Sequence, residues 1–204
     1  MRSFSMMLVE ETSVSPSALP VDEFKAHLRM GSGFADESLQ DSVLESFLLA
    51  AMSATEARTG KVLIERCFAC SLAGWRGGAA QGLPVAPVNA VTSVTLSDSE
   101  GGTVTVSPSA YYLVADAQRP VLKSKGSCLP AVPTDGSVTV RFVGGYGASW
   151  SDVPSDLQQA VLLLAAHYYE CRHETSLKSG CMPFGVTSLL ERYRPVRLHM
   201  GGGV

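Results

Sequence analysis

Apolar residues recur along this chain with two different periods, and the change of period divides it into three stretches. Between Asp36 and Thr59, Leu39, Val43, Phe47, Ala50, Ala51 and Ala54 repeat at three- and four-residue steps, and Leu44 and Leu48 widen the stripe. That spacing predicts a helix with these residues on its core side. Asp36 suits the N-cap and Gly60 the C′ position. The period then shortens. Val62–Leu72, Val91–Leu96, Thr103–Val106, Tyr111–Val114 and Ser137–Val143 are β-branched and aromatic runs separated by Gly, Pro, Asn and Asp, which predicts strands. Residues Ser97–Gly102 form a hairpin turn between two of them. Pro84, Pro87, Pro108, Pro120, Pro130 and Pro133 mark edges and loops, because proline cannot donate within a ladder. From Pro154 to Arg172 the helical period returns. Leu157, Ala160, Val161, Leu164 and Tyr168 fill one face, while Leu162, Leu163, Ala165, Ala166 and Tyr169 cover much of the rest.

The pattern predicts a mainly helical α+β protein: a small helical bundle with an inserted antiparallel β-subdomain and an extended C-terminal arm. Residues 1–18 are Ser-rich and read as a flexible N-terminal segment. Residues 19–194 read as a single domain with helices at 19–30, 36–59, 154–172 and 184–193 and the β insertion at 61–147. Residues 195–204 are the arm. A helix that is apolar nearly all round needs cover on both sides. The 36–59 helix supplies one side. The β-subdomain or a neighbouring subunit supplies the other, which makes Leu162, Leu163, Ala166 and Tyr169 candidate subunit-interface residues.

At 204 residues and 46% hydrophobic, the chain can bury one good core. The net charge of −3 is too mild for a dedicated nucleic-acid binder. It is uneven, since residues 1–60 carry nine acidic against four basic side chains. The longest apolar runs, such as Val161–Ala166, fall far short of the roughly 18–20 residues a bilayer requires. Met6–Val9 is too short for a signal-peptide core and is followed by Glu10 and Glu11. A soluble cytosolic protein is expected, and its five cysteines are expected to be reduced and mostly packed.

Few residues invite chemistry. Cys67 and Cys70 have redox or zinc spacing, but in a strand positions i and i+3 face opposite ways. His167 and Cys171 share a helix face without a third ligand. Gly144-Gly-Tyr-Gly147 lacks the lysine of a phosphate loop and reads as a strand exit. No nucleophile–base pair or carboxylate cluster emerges, so neither an enzyme nor a cofactor or metal is expected. Arg192, Tyr193, Arg194 and Arg197, with Pro195, Val196 and Leu198, form a basic, proline-stiffened segment of residue types favoured at interfaces.

The order of parts resembles a known family. It runs Pro20–Leu28, then Ala54–Lys61, Val62–Ile64, Leu83–Val94 and Phe142–Gly147, then Asp152–Glu170, Pro183–Val186 and Leu189–Arg194. Together these resemble the head–tail connector (adaptor) proteins of long-tailed phages, prophages and gene transfer agents, over residues 18–198. The resemblance implies a ring, typically of twelve copies, below the portal protein and above a stopper or tail terminator. DNA would pass through its centre without sequence recognition, and no membrane is involved. The protein would act in a virion or phage-like particle assembled in the bacterial cytoplasm. By position, Arg192, Tyr193, Arg194, Pro195, Val196, Arg197 and Leu198 would dock on the portal. The competing readings are a small DNA-binding protein of mobile-element origin, and a Cys/His metal or thiol-redox protein.

Overall fold

The computed structural model describes residues 6–29, 37–172 and 182–194. Pro195 to Leu198, expected in the docking arm, lie outside them. The chain divides into two compact units where the sequence reads as one domain. One comprises the chain up to Pro20 together with Lys61–Pro154; the other comprises Val21–Gly60 and the chain from Ser155 onward.

The first unit is built from strands. β1 (Met6–Glu10), β2 (Arg66–Leu72), β4 (Val88–Ser97), β5 (Thr103–Thr105) and β8 (Ser137–Gly144) form an antiparallel sheet in the order β1-β2-β8-β4-β5. β3 (Ala80–Gly82), β6 (Tyr111–Val114) and β7 (Val121–Ser124) form a second, in the order β3-β7-β6. β8 lies at the centre of the larger sheet, and its period-2 pattern shows why: Val138, Val140 and Phe142 are buried while Arg141 is exposed. Phe142 faces Phe68 across the ladder, and the two rings stack at 5.6 Å between centroids. Both sheets feed one core, with Tyr111 and Leu122 joining Phe68, Val94 and Val140.

Turn chemistry fits this frame. In the β4–β5 hairpin the Asp98 carboxylate accepts the backbone N–H of Glu100 at 3.0 Å and of Gly102 at 2.7 Å. Gly145, just past β8, sits at φ +142°, and a Cβ there would come within 2.5 Å of the Glu65 backbone. The glycine run at 144–147 is therefore a close-packed strand exit, without the helix that a phosphate loop requires.

The second unit is helical: α1 (Val21–His27), α2 (Glu37–Thr59), α3 (Ser155–Glu170) and α4 (Phe184–Leu190), followed by a 3-10 turn at Glu191–Tyr193. α1 carries Asp22 and Glu23 in its first turn and buries Phe24 completely; burying a side chain of that size contributes about 1.5–3 kcal/mol. Lys25 pairs with Asp41 of α2 at 2.6 Å. α2 ends where Gly60, at φ +67°, donates its N–H to the carbonyl of Glu56.

Three sequence expectations need correction. The fold is not mainly helical: eight strands in two sheets stand beside four α-helices among the described residues. Seven of the eight strands lie between residues 66 and 144, and β1 extends the larger sheet. Second, residues 6–10 are a strand and Pro16–Ala18 a 3-10 turn, where irregular chain was expected. The Met6–Val9 run is apolar enough for a strand but too short to signal one without its partner. Third, α2 is rotated from the expected stripe. Its buried face is Leu44, Leu48, Ala51, Met52, Thr55 and Thr59, whereas Val43 and Ala50 face solvent.

Candidate functional site

The last described turn of the chain is held by one carboxylate. Asp156 lies in the first turn of α3, where the unpaired N–H groups of the helix end favour a negative charge. Its Oδ1 accepts the Tyr193 hydroxyl at 2.6 Å and the Leu157 N–H at 3.1 Å. Its Oδ2 pairs with the Arg192 guanidinium at 3.1 Å. Tyr193 is buried, and Arg192 lies over its ring at 4.9 Å. α4 leads into this turn with Val186 and Leu190 buried.

Of the residues expected to dock, Arg192 and Tyr193 are engaged within the unit itself. Arg194 is exposed and approaches Glu191 at 3.6 Å, a surface pair worth about 0–1 kcal/mol. The Asp156 partnership was not foreseen from the sequence. The available signal was an acidic residue in a helix first turn and a lone tyrosine within a basic run.

The four interface candidates on α3 separate into two kinds. Leu162 and Ala166 are buried within the chain itself, so the apolar excess that nominated them is already covered. α1, α2 and α4 all pack on α3. Leu163 and Tyr169 are half-buried. Tyr169 presents its ring to Phe47 edge-on, at 5.8 Å and 84°, and takes the Arg172 guanidinium over its face at 4.3 Å.

The groups with potential chemistry stay apart. Cys70 is buried in β2, and burial pushes its thiol pKa up, although nearby Arg76 pulls the other way. Cys67, on the same strand, is half-buried. His167 Nδ1 and Cys171 Sγ approach to 3.7 Å where the chain leaves α3. Among the described residues no three His, Cys, Asp or Glu side chains come together as metal ligands. Nor, among the described residues, is any helix long and apolar enough to cross a membrane.

No protein-family model matches the chain, and no curated protein matches it. Solved structures do. The chain is 50% identical to a chain from the neck of an empty gene transfer agent (GTA) particle computed with C6 symmetry, with a TM-score of 0.87. It is 49% identical, with a TM-score of 0.84, to a chain from the virion of a native GTA particle. To a chain from the neck of a native GTA particle computed with C12 symmetry it is 46% identical, with a TM-score of 0.82. Each match covers 96% of this chain and 98% of the other.

The chain belongs to the head–tail connector family.

Identity near one half over almost the full length of both chains extends to both units, so the connector likeness is not confined to one of them. Connectors of this family are structural components of particles, and this protein is not an enzyme.

Proposed function

We propose that this protein is a head–tail adaptor of a phage-like particle. Twelve copies form a ring between the portal and the tail-proximal connector, a stopper or tail terminator, and DNA passes through the ring without sequence recognition. The observation that carries this reading is the 50% identity, over 96% of this chain, to a chain from a GTA particle neck. The C6 and C12 symmetries of the related neck structures favour copies arranged around an axis.

In this reading the protein acts by binding alone. The Asp156–Tyr193 hydrogen bond fixes where the arm leaves the protomer, at Arg194. Residues 195–204, with Pro195, Val196, Arg197 and Leu198 foremost, dock on the portal. Fixing the base of a binding segment lowers the ordering entropy lost when it docks. DNA contact stays weak because several arginines already face carboxylates: Arg66 meets Glu10 at 3.2 Å and Arg141 meets Glu11 at 2.8 Å. Paired bases release few counterions on DNA and add little phosphate affinity.

The test is a chain ending at Arg194, which keeps the Asp156 anchor. The account expects an unchanged thermal midpoint for the truncated protein and particles whose heads lack tails. Normal tail joining by the truncated protein would remove the arm from the mechanism.

A further inference from the structure

Two exposed apolar features stand out on the helical unit, and among the described residues neither is covered. The first is the outer face of α2. Val43, Ser46, Leu49, Ala50 and Ser53 are all exposed and none is charged. The solvated side of a helix is ordinarily rich in Lys, Glu, Arg and Asp. Val43 and Leu49 are 47% and 41% exposed, so large aliphatic groups meet water here. At 100° per residue these positions fall within a 120° arc, with Val43 and Leu49 at its two borders and the small Ser46, Ala50 and Ser53 between them. Between these two aliphatic side chains the small residues make a low, uncharged strip, the α2 groove, extending about 15 Å along the helix at 1.5 Å per residue.

The second feature is Phe184, the first residue of α4, which is 89% exposed. Phenylalanine has no polar group to satisfy in water, and an aromatic side chain is a favoured interface anchor. It is also held in place: the Thr187 N–H donates to Pro183 O at 3.0 Å, closing the first turn of α4.

We propose that Phe184 of one protomer seats in the α2 groove of the next, as the repeating contact of the ring. This rests on the ring reading above. The occupant is a second copy because copies related by rotation about a six- or twelve-fold axis meet head to tail, through two different patches on each protomer. The neck structures of the family were computed with C6 and C12 symmetry, and the helical unit carries two patches of matching chemistry: an aromatic knob and an uncharged, small-residue groove.

The experiment uses the full chain in assembled particles. A variant carrying both Phe184→Cys and Ala50→Cys is oxidised, with wild type treated in parallel to register the native cysteines. The expected result is a ladder of cross-linked multimers, absent in wild type and in each single substitution. Separately, Leu49→Glu and Phe184→Ser should keep the thermal midpoint of the isolated protein, because both side chains are exposed, and should abolish its incorporation into particles. Normal incorporation of both variants, or no ladder from particles whose imaged necks contain a ring of this chain, would overturn the pairing while leaving the ring intact. Necks that contain no ring of this chain would overturn the adaptor reading itself.

Discussion

Asp156 carries more than its own hydrogen bonds, because removing it would leave the buried Tyr193 hydroxyl without that acceptor. Tyr193→Phe should destabilise the protein by about 1.5 kcal/mol, the lower end for a hydrogen bond to a charged group, read as a shift in the urea midpoint. Asp156→Ala should cost more, since it also frees Arg192. In the Asp156→Ala background, Tyr193→Phe should then cost almost nothing; additive losses would show that the two side chains act independently. Lys61 offers a second test. Its ammonium is buried and donates to Ala117 O and, at 2.7 Å, to Gln118 Oε1. Burial lowers its pKa below 10.5, although Asp116 pulls it back up. The unfolded chain therefore binds the proton more readily than the folded one, so this residue makes stability rise with pH as the pH approaches 10.5. Lys61→Met should lack that rise, so the stability of wild type relative to the variant should climb with pH over this range. An identical pH slope in both proteins would contradict the assignment.

Among the elements, β8 and β1 are the extremes of one sheet. β8 is paired on both sides and buries Val138, Val140 and Phe142, whereas β1 is an edge strand with every residue exposed. Amide hydrogen exchange should therefore be slowest in β8, and Met6–Glu10 should exchange at least about a hundredfold faster, the factor for roughly 3 kcal/mol of local opening. Equal protection would mean that β1 is covered. The same elements show what the sequence carries. β8 was legible because its alternation is local and unbroken. β1 was not, because a five-residue apolar run becomes a strand only through a partner some sixty residues away, Met6 opposite Leu72. α2 was legible as a helix but not in its rotation. It is apolar on two sides, and periodicity alone does not say which side is buried. Val43 and Ala50 fitted a core stripe as well as Leu44 and Ala51 did.

At the scale of the whole molecule, the family was readable from the order of short segments between Pro20 and Arg194, although no single motif among them is diagnostic. The balance of strand and helix was not, because composition weighs the long helices above many short strands. The basic run 192–198 could be nominated from the sequence, but what holds its first residues could not. Nothing in the spacing of Asp156 and Tyr193, 37 residues apart, shows that they meet. The adaptor account puts the protein at a single place in a particle, and direct imaging of the neck tests it. Cryo-electron microscopy of particles containing this chain, reconstructed without imposed symmetry, should show twelve copies in a ring between the portal and the tail-proximal connector. The segment after Arg194 should reach the portal. A neck without this chain, or the chain located elsewhere in the particle, would contradict the account.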